Sequence, residues 1–279
     1  MNRDGHFKIK EKDNLKYLVF EKWEADTELI HCFTTRHGGV STGCLESLNL
    51  GFNRGDIHEN VMQNYQSVCD VLKVDLKSVV LSKQVHDTNI IKVELEDAGN
   101  GIFYNSKWES ADGMYTSQPN ITLVTHYADC VPLLFYAPGY SIIGMTHAGW
   151  RGTVKGIAGS LVDRWVRKER IPLDAIQVVI GPSIGECCFE VGKEVADAFV
   201  TAFSEQSFIK CNSLADKYSI DLWQCNKHIL IKSGIKEENI FITSLCTSCN
   251  EDLFFSHRKS NGARGTLGAF MALRSVGDE

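Results

Sequence analysis

The sequence predicts an α/β fold: a single layered domain over residues 1–279, with a mixed sheet, helices packed on it, and residues 1–30 as an N-terminal extension. Three observations carry this reading. Short runs rich in β-branched residues, such as Ile121-Thr-Leu-Val-Thr125 and Ile176-Gln-Val-Val-Ile180, have the character of buried strands. Stretches with apolar residues at helical spacing are interspersed with them. No internal repeat, low-complexity tract or linker interrupts the 279 residues, a length able to bury a sizeable core.

Taken in order, the chain opens with charged, weakly patterned sequence, followed by Tyr17-Leu-Val-Phe20, expected as an edge strand. His31-Cys-Phe-Thr-Thr35 reads as a strand that ends in the glycine-rich turn Arg36-His-Gly-Gly-Val-Ser41. Val61, Tyr65, Val68, Cys69 and Leu72 recur at helical spacing, which predicts a helix over 59–72. Val79-Val-Leu81 begins a buried strand that runs out at Gln84-Val-His86. The strand at 121–125 ends in the polar turn His126-Tyr-Ala-Asp-Cys130. Segments 131–136 and 141–146 read as paired strands joined by a Pro-Gly turn, with Pro132 at the start or edge of its strand, where a missing N–H costs little. His147-Ala-Gly-Trp-Arg-Gly152 opens an amphipathic helix whose stripe includes Val154, Ile157, Leu161 and Trp165. A strand at 176–180, helices around 190–203 and 222–233, and strands around 240–244 and 266–272 complete the set.

Composition narrows the function classes. The chain is 43% hydrophobic and 23% charged, with a formal charge of −6, so no general attraction to nucleic acid or anionic membrane is expected. The first residues carry no apolar core of a secretory signal, and no apolar run approaches the ~20 residues of a membrane span. A cytoplasmic protein is therefore expected, with its ten cysteines as reduced thiols.

His86, Cys130 and His147 share one character: each lies just after a segment read as a buried strand, where α/β sheets place ligand-binding residues. Two imidazoles and a thiolate leave a fourth tetrahedral position open, the arrangement of a catalytic zinc. That position suits a water of lowered pKa or a polarised substrate atom. The same residue types also fit a buried thiol flanked by two structural histidines. They equally fit a Cys130–His147 thiolate–imidazolium pair for acyl transfer. Cys246-Thr-Ser-Cys249 has the C-x-x-C spacing of half a zinc site or of a redox pair. The remaining pair, Cys187-Cys188, is too close in sequence to chelate comfortably, so these four are expected to be core or incidental thiols. Arg36 and Arg151 sit in glycine-flanked turns, where backbone N–H groups and a guanidinium suit phosphate. Asp112 and Asp129 are candidate acid/base groups.

The segments Thr35-Arg-His-Gly-Gly-Val-Ser41, Gln84-Val-His86, Ala111-Asp-Gly113, Ala128-Asp-Cys-Val-Pro132, His147-Ala-Gly-Trp-Arg-Gly152 and Phe254-Phe-Ser-His-Arg258 resemble, in order, those of the YfiH/YlmD family. These are the laccase-domain proteins described as purine nucleoside phosphorylases. The resemblance implies a YfiH-like fold, shared with a cysteine-dependent bacterial toxin, and His86, Cys130 and His147 as metal ligands and catalytic residues. It implies zinc as cofactor, with copper as the other candidate. It further implies phosphorolysis of adenosine, inosine and methylthioadenosine to free base and ribose 1-phosphate, with adenosine deamination as a second activity. Arg36, Asp129 and Arg151 are then the substrate-binding candidates: the arginines for phosphate or ribose, Asp129 for a proton. Expected partners are small molecules alone, purine nucleosides and phosphate, bound by a monomer with no nucleic-acid or membrane partner. The rival readings are a cell-wall or amide hydrolase, using Cys130 and His147 or zinc-bound water; a copper phenol oxidase, against which nine mostly unclustered histidines argue; and a non-catalytic protein whose zinc only stabilises the fold, against which an open coordination position within a pocket would argue. Two departures from the family pattern bear on substrate grip: Asp87 replaces the glycine after Gln-Val-His, and 259–265 reads Lys-Ser-Asn-Gly-Ala-Arg-Gly.

Overall fold

The computed structural model describes residues 6–204, 207–212 and 217–274. The first half of the chain forms β1 (Phe7–Lys12), β2 (Leu15–Phe20), β3 (Leu29–Thr34), α1 (His58–Leu72), β4 (Val79–Leu81), β5 (Ile90–Lys92) and β6 (Gly113–Thr116). Next come β7 (Thr122–Tyr127), β8 (Val131–Ala137), β9 (Ile142–Ala148), α2 (Trp150–Val154), α3 (Ile157–Arg164) and β10 (Gln177–Ile180). The last part supplies β11 (Glu190–Val191), α4 (Lys193–Ala202), β12 (Ile209–Asn212), β13 (Lys217–Ile220), α5 (Leu222–Lys232), β14 (Ile240–Ile242) and β15 (Leu267–Leu273).

The fold is α/β with mixed sheets, and its strands divide between two large sheets rather than forming one. One runs β1-β2-β3-β15-β7-β4 and the other β14-β10-β8-β9-β6-β5; β11-β13-β12 form a small third sheet. Most neighbours are antiparallel, but β4 pairs parallel with β7, β5 with β6 and β10 with β14. The large sheets face each other. Leu123, Leu267 and Met271 of the first pack in one core with Leu134, Met145 and Val179 of the second. Helix α1 covers the outer face of the first sheet, where Val61, Tyr65 and Val68 meet Phe270. Helices α3, α4 and α5 cover the outer face of the second.

This layering explains why the central strands look uniformly apolar. Along β8, Val131, Leu133, Phe135 and Ala137 face the helices, while Leu134 and Tyr136 face the other sheet. With both faces dry, no polar alternation survives. Pro132 stands one residue inside the start of β8, opposite His147 of β9, and its carbonyl accepts from the Gly181 N–H.

Two local expectations are corrected. The charged opening segment forms β1, so β2 is an interior strand and the edge is the lysine-rich one. Such an edge resists pairing with other chains. The helix expected from His147 onward is two helices, because Gly156 adopts φ 76°, a left-handed conformation that ends α2. His147 itself belongs to β9, not to the helix. No helix among the described residues is long and apolar enough to cross a membrane.

Candidate metal centre and its cavity

Three connections at one end of the two facing sheets build the site. Because β4 runs parallel beside β7, the segments leaving both strands emerge side by side. The first carries His86. The second, residues 128–130, crosses to the other sheet and delivers Cys130 immediately before β8. Pairing of Pro132 with His147 and of Val131 with Ala148 then sets the end of β9 beside Cys130.

The result joins the three residues that the sequence singled out. The ligand atoms of His86, Cys130 and His147 all lie within 4.8 Å of one another. Cys130 Sγ is 3.9 Å from His86 Nε2, and the two imidazole rings meet edge to face at 4.8 Å between centroids. Gly149 keeps the space between them clear: a Cβ there would lie 2.9 Å from His86 Cδ2 and 3.2 Å from Cys130 Sγ. His147 is buried, Cys130 is half-buried and His86 is exposed.

Asp112 organises the group. Its fully buried carboxylate accepts hydrogen bonds from the backbone N–H groups of Val85 (2.9 Å), His86 (2.9 Å) and Asp87 (3.0 Å). The fourth bond is with His147 Nδ1, 2.9 Å away, and the Asp112 carbonyl accepts from the His147 backbone N–H. One carboxylate thus fixes the loop that bears His86, whose φ is 65°, and the ring of His147. With Nδ1 so engaged, Nε2 of His147 is left for a ligand, the usual support for a metal-binding histidine. The residues therefore fit a metal ion: two imidazoles and a thiolate converge, a buried acceptor orients one ring, and a glycine leaves room.

Electrostatics reinforce the arrangement. Burial pushes the Cys130 thiol up, but His147 and His86 outweigh it and bring it down to about 6. Burial alone would lower His147; the facing Cys130 and then Asp112 raise it to about 9. Burial likewise opposes the Asp112 charge, yet His147 and the backbone donors hold the carboxyl below its ordinary range. Both shifts favour a Cys130 thiolate facing a His147 imidazolium between about pH 6 and 9 when no metal is bound.

The trio opens into a cavity of about 1220 Å³, also lined by Arg54, Lys83, Phe103, Tyr104, Arg258 and Arg264. Neither Arg36 nor Arg151 lines it. Arg36 donates to the carbonyls of Glu46 and Glu251 and stacks on Phe255, bracing its own turn. Arg151 is exposed and lies over the Trp150 ring. Asp129 lines the cavity, with φ 90°, but both of its oxygens are occupied: Oδ1 accepts from Thr247 Oγ1 and Oδ2 from the Arg258 N–H, each at 2.7 Å. Arg54 and Arg264 were available to the same cue that drew attention to Arg36, since each has a glycine beside it. Nothing local in the sequence separates a glycine-flanked arginine that faces a cavity from one that braces a turn.

With this geometry in hand, comparison with known proteins decides the family. Residues 30–274 match the family described as multi-copper polyphenol oxidoreductase laccase. The chain belongs to this laccase-like YfiH family. A relative in Bacillus subtilis (strain 168), named purine nucleoside phosphorylase YlmD, is 38% identical over 93% of this chain and 95% of its own. The protein of that name in Geobacillus stearothermophilus is 38% identical over 86% and 89%. Two solved family structures superpose closely. Bacillus licheniformis hypothetical protein YfiH has a TM-score of 0.90 at 37% identity, covering 97% of this chain and 100% of that one. YlmD from Geobacillus stearothermophilus has a TM-score of 0.88 at 35% identity, covering 97% and 99%. The sheet layering described above is thus the family's.

Proposed function

We propose that the chain is a zinc-dependent purine nucleoside phosphorylase that splits adenosine, inosine and methylthioadenosine with phosphate, and that deaminates adenosine at the same centre. The relatives' names supply the reaction class. The observation that supports it in this chain is a pair of arginines, Arg54 and Arg264, lining the cavity into which the metal trio opens. Arg264 is half-buried, and its buried Nε has no hydrogen-bond partner among the described residues, while its Nη1 donates to Gly265 O and Thr266 Oγ1. Burial, and after it the like charge of Arg54, pull Arg264 down to about 10. Two guanidinium groups crowded into one cavity, one with an idle buried donor, are relieved by a bound anion such as phosphate.

In phosphorolysis a phosphate oxygen forms a bond to ribose C1′ while the C1′–N9 bond breaks and the purine leaves with the electron pair. Arg54 and Arg264 would hold the phosphate below the ribose and spread the charge of an oxocarbenium-like transition state. Phe103 and Tyr104, both exposed at the cavity mouth, offer aromatic faces on which the purine stacks. His86, Cys130 and His147 would hold the zinc, with Asp112 fixing their geometry. When bound, the ion supplies Lewis-acid polarisation of a substrate atom. Zinc is favoured over a laccase-type copper centre because, of the two metal-competent clusters among the described residues, only this trio contains histidine.

The test is the phosphate dependence of base release from inosine by the native chain and by Arg264→Gln. A built phosphate site predicts a KM for phosphate raised by about 10- to 100-fold in the variant, the loss expected for a charge-assisted contact. An unchanged KM removes Arg264 from the site. Base release independent of phosphate removes phosphorolysis.

A further inference from the structure

The structure carries a second cluster, whose argument does not depend on the activity of the neighbouring cavity. Cys187, Cys188, Cys246 and Cys249 come from two distant turns, yet their four sulfurs all lie within 4.8 Å of one another. Cys249 Sγ is 3.5 Å from Cys187 Sγ and 3.4 Å from Cys188 Sγ. We propose that these four residues form a closed, structural zinc site of the four-thiolate class.

Sequence reasoning set the pair Cys187-Cys188 aside as too close to chelate. The local fold removes that objection. Residues 186–188 form a tight turn closed by the N–H groups of Cys188 and Phe189 on the Gly185 carbonyl, and it aims both adjacent sulfurs at Cys249. Gly185 suits this crowded place, where a Cβ would lie 3.0 Å from Trp223 and 3.3 Å from both Cys187 Sγ and Cys246 Cβ. The second turn is equally built. Asn250 returns its backbone N–H and its side-chain amide to the Cys246 carbonyl, closing the C-x-x-C loop. The turns are fastened to each other by Ser183 N–H to Leu245 O and Thr247 N–H to Ser183 O.

Three features favour a metal over idle thiols. Zinc–sulfur bonds of about 2.3 Å in a tetrahedron place the sulfurs about 3.8 Å apart, close to the observed spacing. The Gly185 N–H points at Cys246 Sγ, 3.3 Å away, a donor suited to a thiolate acceptor. Finally, Cys187 and Cys249 are exposed and Cys188 is half-buried, so burial of small hydrophobes does not explain why they cluster. Four soft ligands with no open position suit a structural zinc. Its place also gives it a task. Ile184 and Phe189, on the first turn, line the substrate cavity, and Thr247, on the second, holds Asp129 next to Cys130.

The test separates this site from the histidine-containing one. The full chain is prepared in reductant with zinc supplied, as native protein, as His86→Ala/Cys130→Ala and as Cys246→Ser/Cys249→Ser. Native protein should hold about two zinc ions per chain and each double variant about one. X-ray absorption of the zinc left in His86→Ala/Cys130→Ala should show only sulfur ligands at about 2.3 Å. Should Cys246→Ser/Cys249→Ser fail to fold, the exposed single variant Cys249→Ser serves in its place, with at least a tenfold faster loss of one zinc to a chelator expected. A folded His86→Ala/Cys130→Ala that holds no zinc, iron in place of zinc under zinc-replete conditions, nitrogen ligands in its spectrum, or a Cys188–Cys249 disulfide in the fresh protein would each overturn the proposal.

Discussion

Replacing Asp112 with asparagine keeps the shape of the side chain and removes what the site uses. The carboxylate accepts four hydrogen bonds: Oδ1 from His86 N–H and His147 Nδ1, Oδ2 from the N–H groups of Val85 and Asp87. An amide has one oxygen and one NH2 group, so with the NH2 toward Val85 and Asp87 two donors face another donor, and with it toward His86 and His147 at least the His86 N–H does. Each orphaned donor costs about 1–3 kcal/mol, giving a loss of about 1–6 kcal/mol in unfolding free energy. Metal affinity should fall by about 10- to 100-fold, the usual consequence of losing the partner that orients a ligating histidine. Denaturant unfolding of the metal-free protein reads the first effect, and chelator competition for zinc reads the second. Stability unchanged within about 0.5 kcal/mol, together with native zinc affinity, would refute the view that Asp112 organises the centre.

Further outcomes follow from the same geometry. Gly149→Ala introduces a Cβ against His86 and Cys130, and should weaken zinc binding by about 10-fold or more in the same competition while leaving the fold intact. In chelated protein, Cys130 deprotonates near pH 6 rather than near 9, so its alkylation rate should rise to half-maximum near pH 6. The linked stability follows the signs. The Cys130 contribution is complete above pH 9 and is lost as pH falls through about 6; that of His147 is complete below 6.5 and is lost as pH rises through about 9. An alkylation midpoint near 9 would remove the ion pair, whereas rapid labelling with zinc bound would favour a free nucleophile. Arg36→Ala should lower the melting temperature through about 1–3 kcal/mol of lost bonds to Glu46 and Glu251, with the KM for phosphate within twofold of native. A raised KM at unchanged stability would return Arg36 to the substrate.

Much of this architecture was legible in the sequence where burial acts locally. The run 131–137 and the spacing Val61, Tyr65, Val68, Leu72 each announce an element, because a strand dry on both faces and a helix with one dry stripe leave distinct periods. Division of the strands between two sheets was not legible, since an apolar strand reads alike whether a helix or a second sheet covers it. At the site, His86, Cys130 and His147 stood out by position and by family resemblance. The role of Asp112 was hidden, because three of its four partners are backbone N–H groups that any residues could supply. Arginines misled for a related reason: Arg36 and Arg54 occupy similar glycine-flanked turns, and only long-range packing sets Arg54 on the wall of the cavity. The cysteine pairs were discounted on spacing along the chain, which says nothing about two turns that the Ser183–Cys246 bridge brings side by side.

The central claim is that the trio and the arginine-lined cavity together run phosphorolysis, and the identity of the sugar product tests it most directly. Phosphorus NMR of inosine turnover by the zinc-loaded chain should show ribose 1-phosphate growing in step with hypoxanthine, and Cys130→Ala should form neither. Free ribose formed in place of ribose 1-phosphate, or undiminished turnover by Cys130→Ala, would contradict it.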